Sequence, residues 1–332
     1  MTKPVITWAG GKRHMLDEIR VRLPNEAQYG RFFEPFFGGG AVFFDLEPEN
    51  AYLSDINPRL INFYQILTTQ SERIIQENIE LDRELDEANE EERKRIYVEY
   101  RHEFNKIRDS TNEKHEEVNT KRQKSPQLLT KEELNWDERI REAVLFFFLN
   151  RTCWNGLYRT NKQGEFNVPM GRNWTRTESL KQRVRAAVPV LSNAKIFTSD
   201  FKDVIPDIQE NDLVFFDPPY PPVSETSNFR DYHHDGFGME RQRELKNVAQ
   251  ELNDSVGAQV LITNANTPEI IDLYTEDDIS ESYRIRKIRG ERRINEDPNK
   301  RTNLGYTDVI ITNISVFGSD DARQGLLEDF RN

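Results

Sequence analysis

Apolar and polar positions fall into blocks along this 332-residue chain, and the blocks change character twice. Residues 31–37 (RFFEPFF) are a short apolar run that predicts a strand. The glycines after it lead into AVFFDL, whose spacing suits the start of an amphipathic helix. Residues 51–54 predict a second strand ending at Asp55, and Pro58 is placed to open a helix in its first turn. Residues 70–142 are mostly charged and helix-favouring, as in RELDEANEEERKRIYVEYRHEF. Within them, 109–137 is polar enough that a loop or surface insertion is expected. An apolar helix over 143–149 follows, then NRTCWNGLYRTNKQGEFNVPMGR, with turns at Asn155-Gly156 and Gln163-Gly164. Short apolar runs then return at 195–198, 213–216, 259–263, 282–286 and 307–314, the first two ending near Asp200 and Asp217. A helix is expected over 240–252, and the polar last dozen residues are expected to fray.

Strand, glycine turn, helix, strand with an acid at its tip is how a doubly wound α/β sheet begins. Because the pattern returns after the charged middle, one α/β domain built from both ends of the chain is expected, with a mainly helical insertion between. The expected divisions are 1–62 with 191–318 for the α/β part, 63–190 for the insertion and 319–332 for a tail.

Composition narrows the class. Cys153 is the only cysteine, which excludes an internal disulfide and a thiolate metal cluster. No apolar run reaches membrane-spanning length and the N-terminus lacks signal-peptide features, so a cytoplasmic protein with no membrane partner is expected. A net charge of −12 argues against coating nucleic acid by charge alone, although 284–293 (RIRKIRGERR) and 181–185 are locally basic. Arginine outnumbers lysine about two to one beside many carboxylates, which fits either a high-salt cytoplasm or ordinary scatter in charge usage.

The segment Glu34-Pro35-Phe36-Phe37-Gly38-Gly39-Gly40 places three glycines between a strand and a helix, where a backbone can approach a ligand closely. It lacks the glycine spacing of dinucleotide folds and the Gly-Lys-Ser/Thr of a P-loop, so phosphate cradling is not expected. Asp55 lies 17 residues after Gly38, near the roughly 20-residue offset at which an acid grips a ribose diol. A nucleoside cofactor without a phosphate chain fits best, and S-adenosylmethionine is the common one; a glycine turn with a helix-capping aspartate is the alternative. Trp8-Ala9-Gly10-Gly11-Lys12 offers an aromatic, backbone freedom and a cation that could meet a carboxylate, or else a solvated turn.

Asp217-Pro218-Pro219-Tyr220 closes a strand at its carboxyl end, where ligands bind in open α/β sheets. The prolines stiffen the corner and stop the ladder. Asp217 and the Pro218 carbonyl can both accept from one exocyclic amino group while Tyr220 offers its ring to a base. An aromatic amine is a poor nucleophile because its lone pair is delocalised; two acceptors that hold its hydrogens out of the ring plane aim that pair at a methyl sulfonium. This is catalysis by positioning and preorganised electrostatics.

With WAGGK, FEPFFGGG, SDIN, WNGLYR, GEFNVPMGR and DPPY in this order, the chain resembles an N6-adenine DNA methyltransferase of the Dam type over most of its length. The resemblance implies a Rossmann-like methyltransferase sheet with an inserted target recognition domain, S-adenosylmethionine as cofactor and double-stranded DNA, often GATC, as substrate. It implies cofactor contacts from Trp8, Gly10, Lys12, Glu34, Phe36, Gly38, Gly40, Asp55, Asp200 and Phe201, with Asp217 serving both cofactor placement and catalysis beside Pro218, Pro219 and Tyr220. Adenine N6 is inaccessible inside the stack, so the base must be extruded, with Tyr220 stacking on it. By the same resemblance Trp154 wedges into the gap, Arg159 reads a base in the major groove, and Asn155, Leu157 and Pro169 belong to the DNA surface. Lys162, Arg172, Lys181 and Arg185 are phosphate contacts or solvated surface. No metal is implied; a monomer in a prokaryotic or viral cytoplasm is expected, working alone or beside a cognate restriction endonuclease.

One departure stands out: relatives that methylate GATC usually carry a lysine before the first tryptophan, and here that place is Thr7. A hydroxyl cannot make the long charged contact to the outer guanine. His233-His234 is read as surface and Cys153 as a small buried residue. The rival readings are methylation of another DNA site or another amine (cytosine N4, RNA adenine), and a non-catalytic DNA-binding relative. The intact acid and aromatic of DPPY weigh against the last two.

Overall fold

The computed structural model describes residues 1–25, 28–124, 135–220, 237–275, 279–289 and 306–315, with side chains of 108–124, Ser280 and Tyr306 left aside. Its centre is a seven-stranded sheet in the order β3-β2-β1-β4-β5-β7-β6. The strands are β1 (Phe32–Glu34), β2 (Ala51–Asp55), β3 (Ala194–Thr198), β4 (Leu213–Phe216), β5 (Gln259–Ala265), β6 (Arg284–Arg289) and β7 (Tyr306–Thr312). The first five pair in parallel, and β7 runs antiparallel to both β5 and β6. The chain order reverses between β1 and β4, which makes the crevice above their carboxyl ends the place for a ligand. The strand expected over 31–37 is only three residues long, because Pro35 has no N–H to continue the ladder.

Alternate residues of each strand enter opposite faces, as the two-residue period requires. Phe32, Leu53, Phe215, Leu261 and Ile310 join one apolar cluster. Phe33, Val214, Phe216, Val260, Ile262, Val309 and Ile311 join the other. Both faces of β4 are therefore covered, and its sequence LVFF reads as an unbroken apolar run for that reason.

Two short helices, α1 (Leu16–Arg20) and α2 (Phe43–Leu46), belong to the N-terminal part, and α3 (Pro58–Glu87) leaves β2. Asn57 caps α3, its Oδ1 accepting from Arg59 N at 3.1 Å and Leu60 N at 3.3 Å, with Pro58 in the first turn. The helix is continuous across residue 63 and kinks at Gln70, whose φ of −130° is not helical. Next come α4 (Glu90–Lys124), α5 (Trp136–Thr152) and α6 (Thr177–Ser192), then α7 (Met239–Glu251), α8 (Pro268–Thr275) and α9 (Ile279–Ser282).

Three expectations change. Residues 109–124 continue α4 instead of forming a loop: Glu113, Lys114, Glu116, Glu117 and Lys121 have enough intrinsic helix preference to carry the backbone without an apolar stripe. Residues 125–134 of that tract lie outside the described residues, as do His233, His234, residues 290–305 and the tail. The apolar helix of 143–149 is seventeen residues long and buried on all sides. Its polar positions are paired there: Glu142 takes Arg59 Nε at 2.9 Å and Asn62 Nδ2 at 2.8 Å, and Arg151 Nη1 reaches Asp82 at 3.1 Å. Helix α6 was not expected; Leu180, Val184, Ala187 and Leu191 form its buried stripe.

Candidate functional site

The acid–proline–proline–tyrosine corner stands at the carboxyl end of β4, beside the N-terminal loop. Lys12 is 4% exposed; its Nζ lies 2.6 Å from Asp217 Oδ1 and donates to Gly10 O at 2.6 Å. Thr263, from β5, donates its hydroxyl to the same Asp217 oxygen at 2.8 Å. Burial pushes the Asp217 carboxyl up, while Lys12 and the Thr263 hydroxyl act against that shift. Lys12 Nζ also sits 4.5 Å from the Tyr220 ring centre, and the Tyr220 hydroxyl donates to Asp308 Oδ1 at 2.9 Å. Pro219 is tied back through its carbonyl, which accepts from Gln242 Nε2 at 3.2 Å.

The glycine turn meets the same corner. Gly38 has φ +48°, and a Cβ there would lie 2.7 Å from Trp8 Cδ1, so only glycine lets the turn close against the indole. Its N–H donates to Asp55 Oδ2 at 3.0 Å, and Asn57 N donates to Oδ1 at 2.9 Å. Burial raises Asp55 to about 6 against these backbone donors. Glu34 is 2% exposed and accepts from Phe43 N at 3.2 Å. Burial, with the Asp217 charge adding to it, pushes Glu34 well above the carboxylate range.

On the other side Phe36 stacks on Phe201 at 5.3 Å and meets Phe216 and Phe237 edge-on. Phe201 is 2% exposed and backs Phe36 from the core. Asp200 forms an ion pair with Arg241, whose guanidinium lies 4.7 Å from the Phe201 ring centre. The expected cofactor residues Trp8, Gly10, Lys12, Glu34, Phe36, Gly38, Asp55, Asp200, Phe201 and Asp217 thus form one connected set at the carboxyl ends of the strands. Gly40 supports it from behind, with φ +66° against Phe37.

The expected DNA residues share one projecting loop pair. Trp154 N donates to Pro169 O at 2.9 Å, and isolated bridges join Cys153 to Met170 and Thr160 to Phe166. Asn155 and Gly156 are both left-handed, at φ 55° and 64°, which turns Trp154 outward to 42% exposure. Arg159 Nε is held by Asn167 Oδ1 at 2.8 Å, and Leu157 is half-buried. Asn105 and Tyr97 of α4 brace the loop through Phe166 and Val168 main-chain groups. Tyr158 stacks on Trp8 at 5.4 Å, so this loop and the N-terminal glycine loop touch. Arg185 is bidentate to Glu72 and Lys181 pairs with Glu178, which leaves both in surface ion pairs. Cys153 is buried and its thiol pushed up to about 12 by burial.

Several residues at the site went unmarked in sequence. Thr263, Asp308, Arg241 and Asn150 were not singled out, nor was Ile56, whose apolar side chain is 66% exposed directly after Asp55. The last carried a readable signal, an apolar residue in a polar strand-end turn.

The sheet order, with one antiparallel strand next to the last, and the ligand-facing strand ends define the class: a Rossmann-like fold of the S-adenosylmethionine-dependent methyltransferase kind. Residues 8–288 match the D12 class N6 adenine-specific DNA methyltransferase family, and the chain belongs to that family. It is 33% identical over 318 residues to the type II methyltransferase M.MjaIII of Methanocaldococcus jannaschii, covering 94% of this chain and 99% of that one. It is 33% identical to the type II methyltransferase M1.LlaDCHI of Lactococcus lactis subsp. cremoris, over 94% and 95% of the two chains. With the DNA adenine methylase of Salmonella typhi the identity is 32%, over 79% and 80%.

Proposed function

We propose that the protein transfers a methyl group from S-adenosylmethionine to N6 of an adenine extruded from double-stranded DNA, within GATC. The observation that carries this reading is the Lys12–Asp217–Tyr220 cluster at the carboxyl end of β4. The donor set suits the cofactor: the carboxyl groups of Glu34, Asp55 and Asp217 and the rings of Trp8 and Phe36 stand together at the strand ends, and S-adenosylmethionine brings an ammonium, a sulfonium and a ribose diol. When bound, it supplies an electrophilic methyl group.

The chain's own residues then do the positioning. Lys12 and Thr263 both engage Oδ1 of Asp217, which fixes the carboxylate's rotation and leaves Oδ2 for the adenine amino group. The Pro218 carbonyl is the second acceptor, and the ring of Tyr220 receives the base. Attack from N6 makes that nitrogen cationic, and its surplus proton is lost afterwards. Residues 1–62 with 191–318 serve as the catalytic part and 63–190 as the target recognition part, with Trp154, Asn155, Leu157, Arg159 and Pro169 facing DNA. GATC is the proposed site because WNGLYR and GEFNVPMGR keep the family form.

Purified protein with radiolabelled S-adenosylmethionine is expected to label GATC-containing duplexes, and Asp217→Asn to lose about a hundredfold or more of that rate. Label in RNA or protein with none in any duplex DNA would overturn the substrate.

A further inference from the structure

Tyr220 needs only its ring to stack on a base, yet its hydroxyl is bound. It donates to Asp308 Oδ1 at 2.9 Å, with the Thr263 hydroxyl alongside. Asp308 comes from β7, two strands away from β4, where antiparallel pairing sets it opposite Ala265. It is 7% exposed, a costly place for a carboxylate unless it is well supplied with donors. Besides Tyr220, Thr307 Oγ1 donates to its Oδ2 at 2.6 Å, and His14 Nε2 stands 3.8 Å from the same oxygen, an ion-pair separation when the imidazole is protonated. Burial acts against the charged form here, but His14, Thr307 and Tyr220 outweigh it and hold the carboxyl low. The acceptor is therefore an ionised carboxylate, which makes a stronger and more directional bond to a phenol than a neutral oxygen would.

We propose that Asp308 is a positioning residue for methyl transfer: through the Tyr220 hydroxyl it fixes the pitch of the ring on which the extruded base stacks. The inference deepens the proposed function and rests on it. The ring is constrained at three points. The prolines set its backbone, Lys12 lies over its face, and Asp308 holds its far end. Asp217 approaches the same base from β4 and is braced by Thr263 of β5. The plane of the base and the acceptor of its amino hydrogens are thereby referenced to neighbouring strands of one rigid sheet. A tilt of the ring moves N6 relative to Asp217, and small misplacements of a reacting atom are expensive.

The test compares wild type, Asp308→Ala, Asp308→Asn, Tyr220→Phe and the double variants Asp308→Ala/Tyr220→Phe and Asp308→Asn/Tyr220→Phe. Methyl-transfer kinetics on GATC duplexes are read beside thermal melting and the fluorescence of duplexes carrying 2-aminopurine at the target. Asp308→Ala is expected to lower kcat by about tenfold to a hundredfold while KM for DNA moves little, with an altered 2-aminopurine signal. Asp308→Asn keeps an acceptor oxygen but not the charge, and should lose less than Asp308→Ala, about threefold to tenfold. Once the hydroxyl is gone, Asp308→Ala should add less than about a twofold further loss. Where Asp308→Ala melts below the assay temperature, Asp308→Asn is compared with its own Tyr220→Phe double variant in the same way. A loss of equal size in both backgrounds, or wild-type kcat in Asp308→Ala, overturns the inference while leaving the proposed function standing. A wild type that methylates no duplex adenine overturns the proposed function itself.

Discussion

The Lys12 ammonium lies 2.6 Å from Asp217 Oδ1 and 4.5 Å from the centre of the Tyr220 ring, so one buried cation touches both ends of the acid–proline–proline–tyrosine corner. Lys12, ahead of the Thr263 hydroxyl, opposes the upward push of burial on Asp217. In Lys12→Met the Asp217 carboxyl should rise further, so its ionised form is lost at a higher pH. The acid limb of the single-turnover rate against pH is therefore expected to move to higher pH. Lys12→Arg should return it partway, since the charge is kept and the geometry is not. An acid limb unmoved in Lys12→Met would mean that Lys12 does not set the state of Asp217.

Asp55 trades stability for function. Burial raises it from 3.8 to about 6 in the folded protein. Between those two values the folded chain holds a proton that the unfolded chain has released, so stability falls as pH rises through this window and stays lower above it. Asp55→Asn removes that pH dependence, at most about 3 kcal/mol and less for a group with some exposure, while its amide can accept from only one of Gly38 N and Asn57 N. Its Tm relative to wild type is therefore expected to be higher at pH 8 than at pH 4, whatever the offset from the lost bond, while calorimetric binding of S-adenosylmethionine is lost. A Tm difference that is the same at both pH values would contradict the linkage.

The half of the site that comes from local sequence was legible. A glycine run after a strand, an acid at the tip of the next and Asp-Pro-Pro-Tyr after LVFF each mark themselves, because backbone constraint and chemistry fall on adjacent residues. Thr263 and Asp308 were not legible. Thr263 has polar Asn264 beside it near the end of β5 and Asp308 follows Thr307 near the start of β7, and what each does depends on which strands lie alongside, which no local pattern sets. In α6 the basic residues Lys181, Arg183 and Arg185 fall between the members of the Leu180, Val184, Leu191 stripe, so no apolar run marks the helix. In α5 the buried Arg139, Glu142 and Arg151 are intelligible only through partners on α3, such as Arg59, Asn62 and Asp82. The backbone of 109–124 follows intrinsic helix preference, which the absence of an apolar stripe concealed.

Trp154 is held outward by the left-handed Asn155-Gly156 turn and by its own N–H on Pro169 O at 2.9 Å. A large apolar side chain in that posture suits insertion into a base stack, where it offsets the cost of extruding the adenine. Trp154→Ala is expected to lower kcat/KM on fully paired GATC by about tenfold or more. The loss should be much smaller on a duplex whose target adenine faces a mismatch, because part of the unpairing is already done. The measurement is the ratio of the two rates in wild type and variant; equal losses on both duplexes would remove the wedge role.

Thr7 occupies the place where the resemblance leads one to expect lysine in a GATC reader, and its main chain is locked to the loop proposed to face DNA. Asn150 accepts from Thr7 N at 3.0 Å and donates to both Thr7 O at 2.8 Å and Gly156 O at 3.2 Å. Position 7 is therefore fixed relative to Arg159 and Trp154, whatever side chain it carries. A Cβ on Gly156, which has φ +64°, would lie 2.7 Å from Thr7 Cβ, so glycine is what lets the turn close against position 7. Thr7→Lys should place an ammonium within reach of the outer base pair, where a good guanine contact is worth about 1–3 kcal/mol of discrimination. The expected result is a rise of roughly tenfold in the preference for GATC over duplexes changed at the outer pair. It is measured as a ratio of kcat/KM values at fixed salt, because phosphate contacts alone would raise both rates together. Equal preference in Thr7→Lys and wild type would place position 7 out of reach of the outer pair and shift the search for its reader to the Arg159 loop.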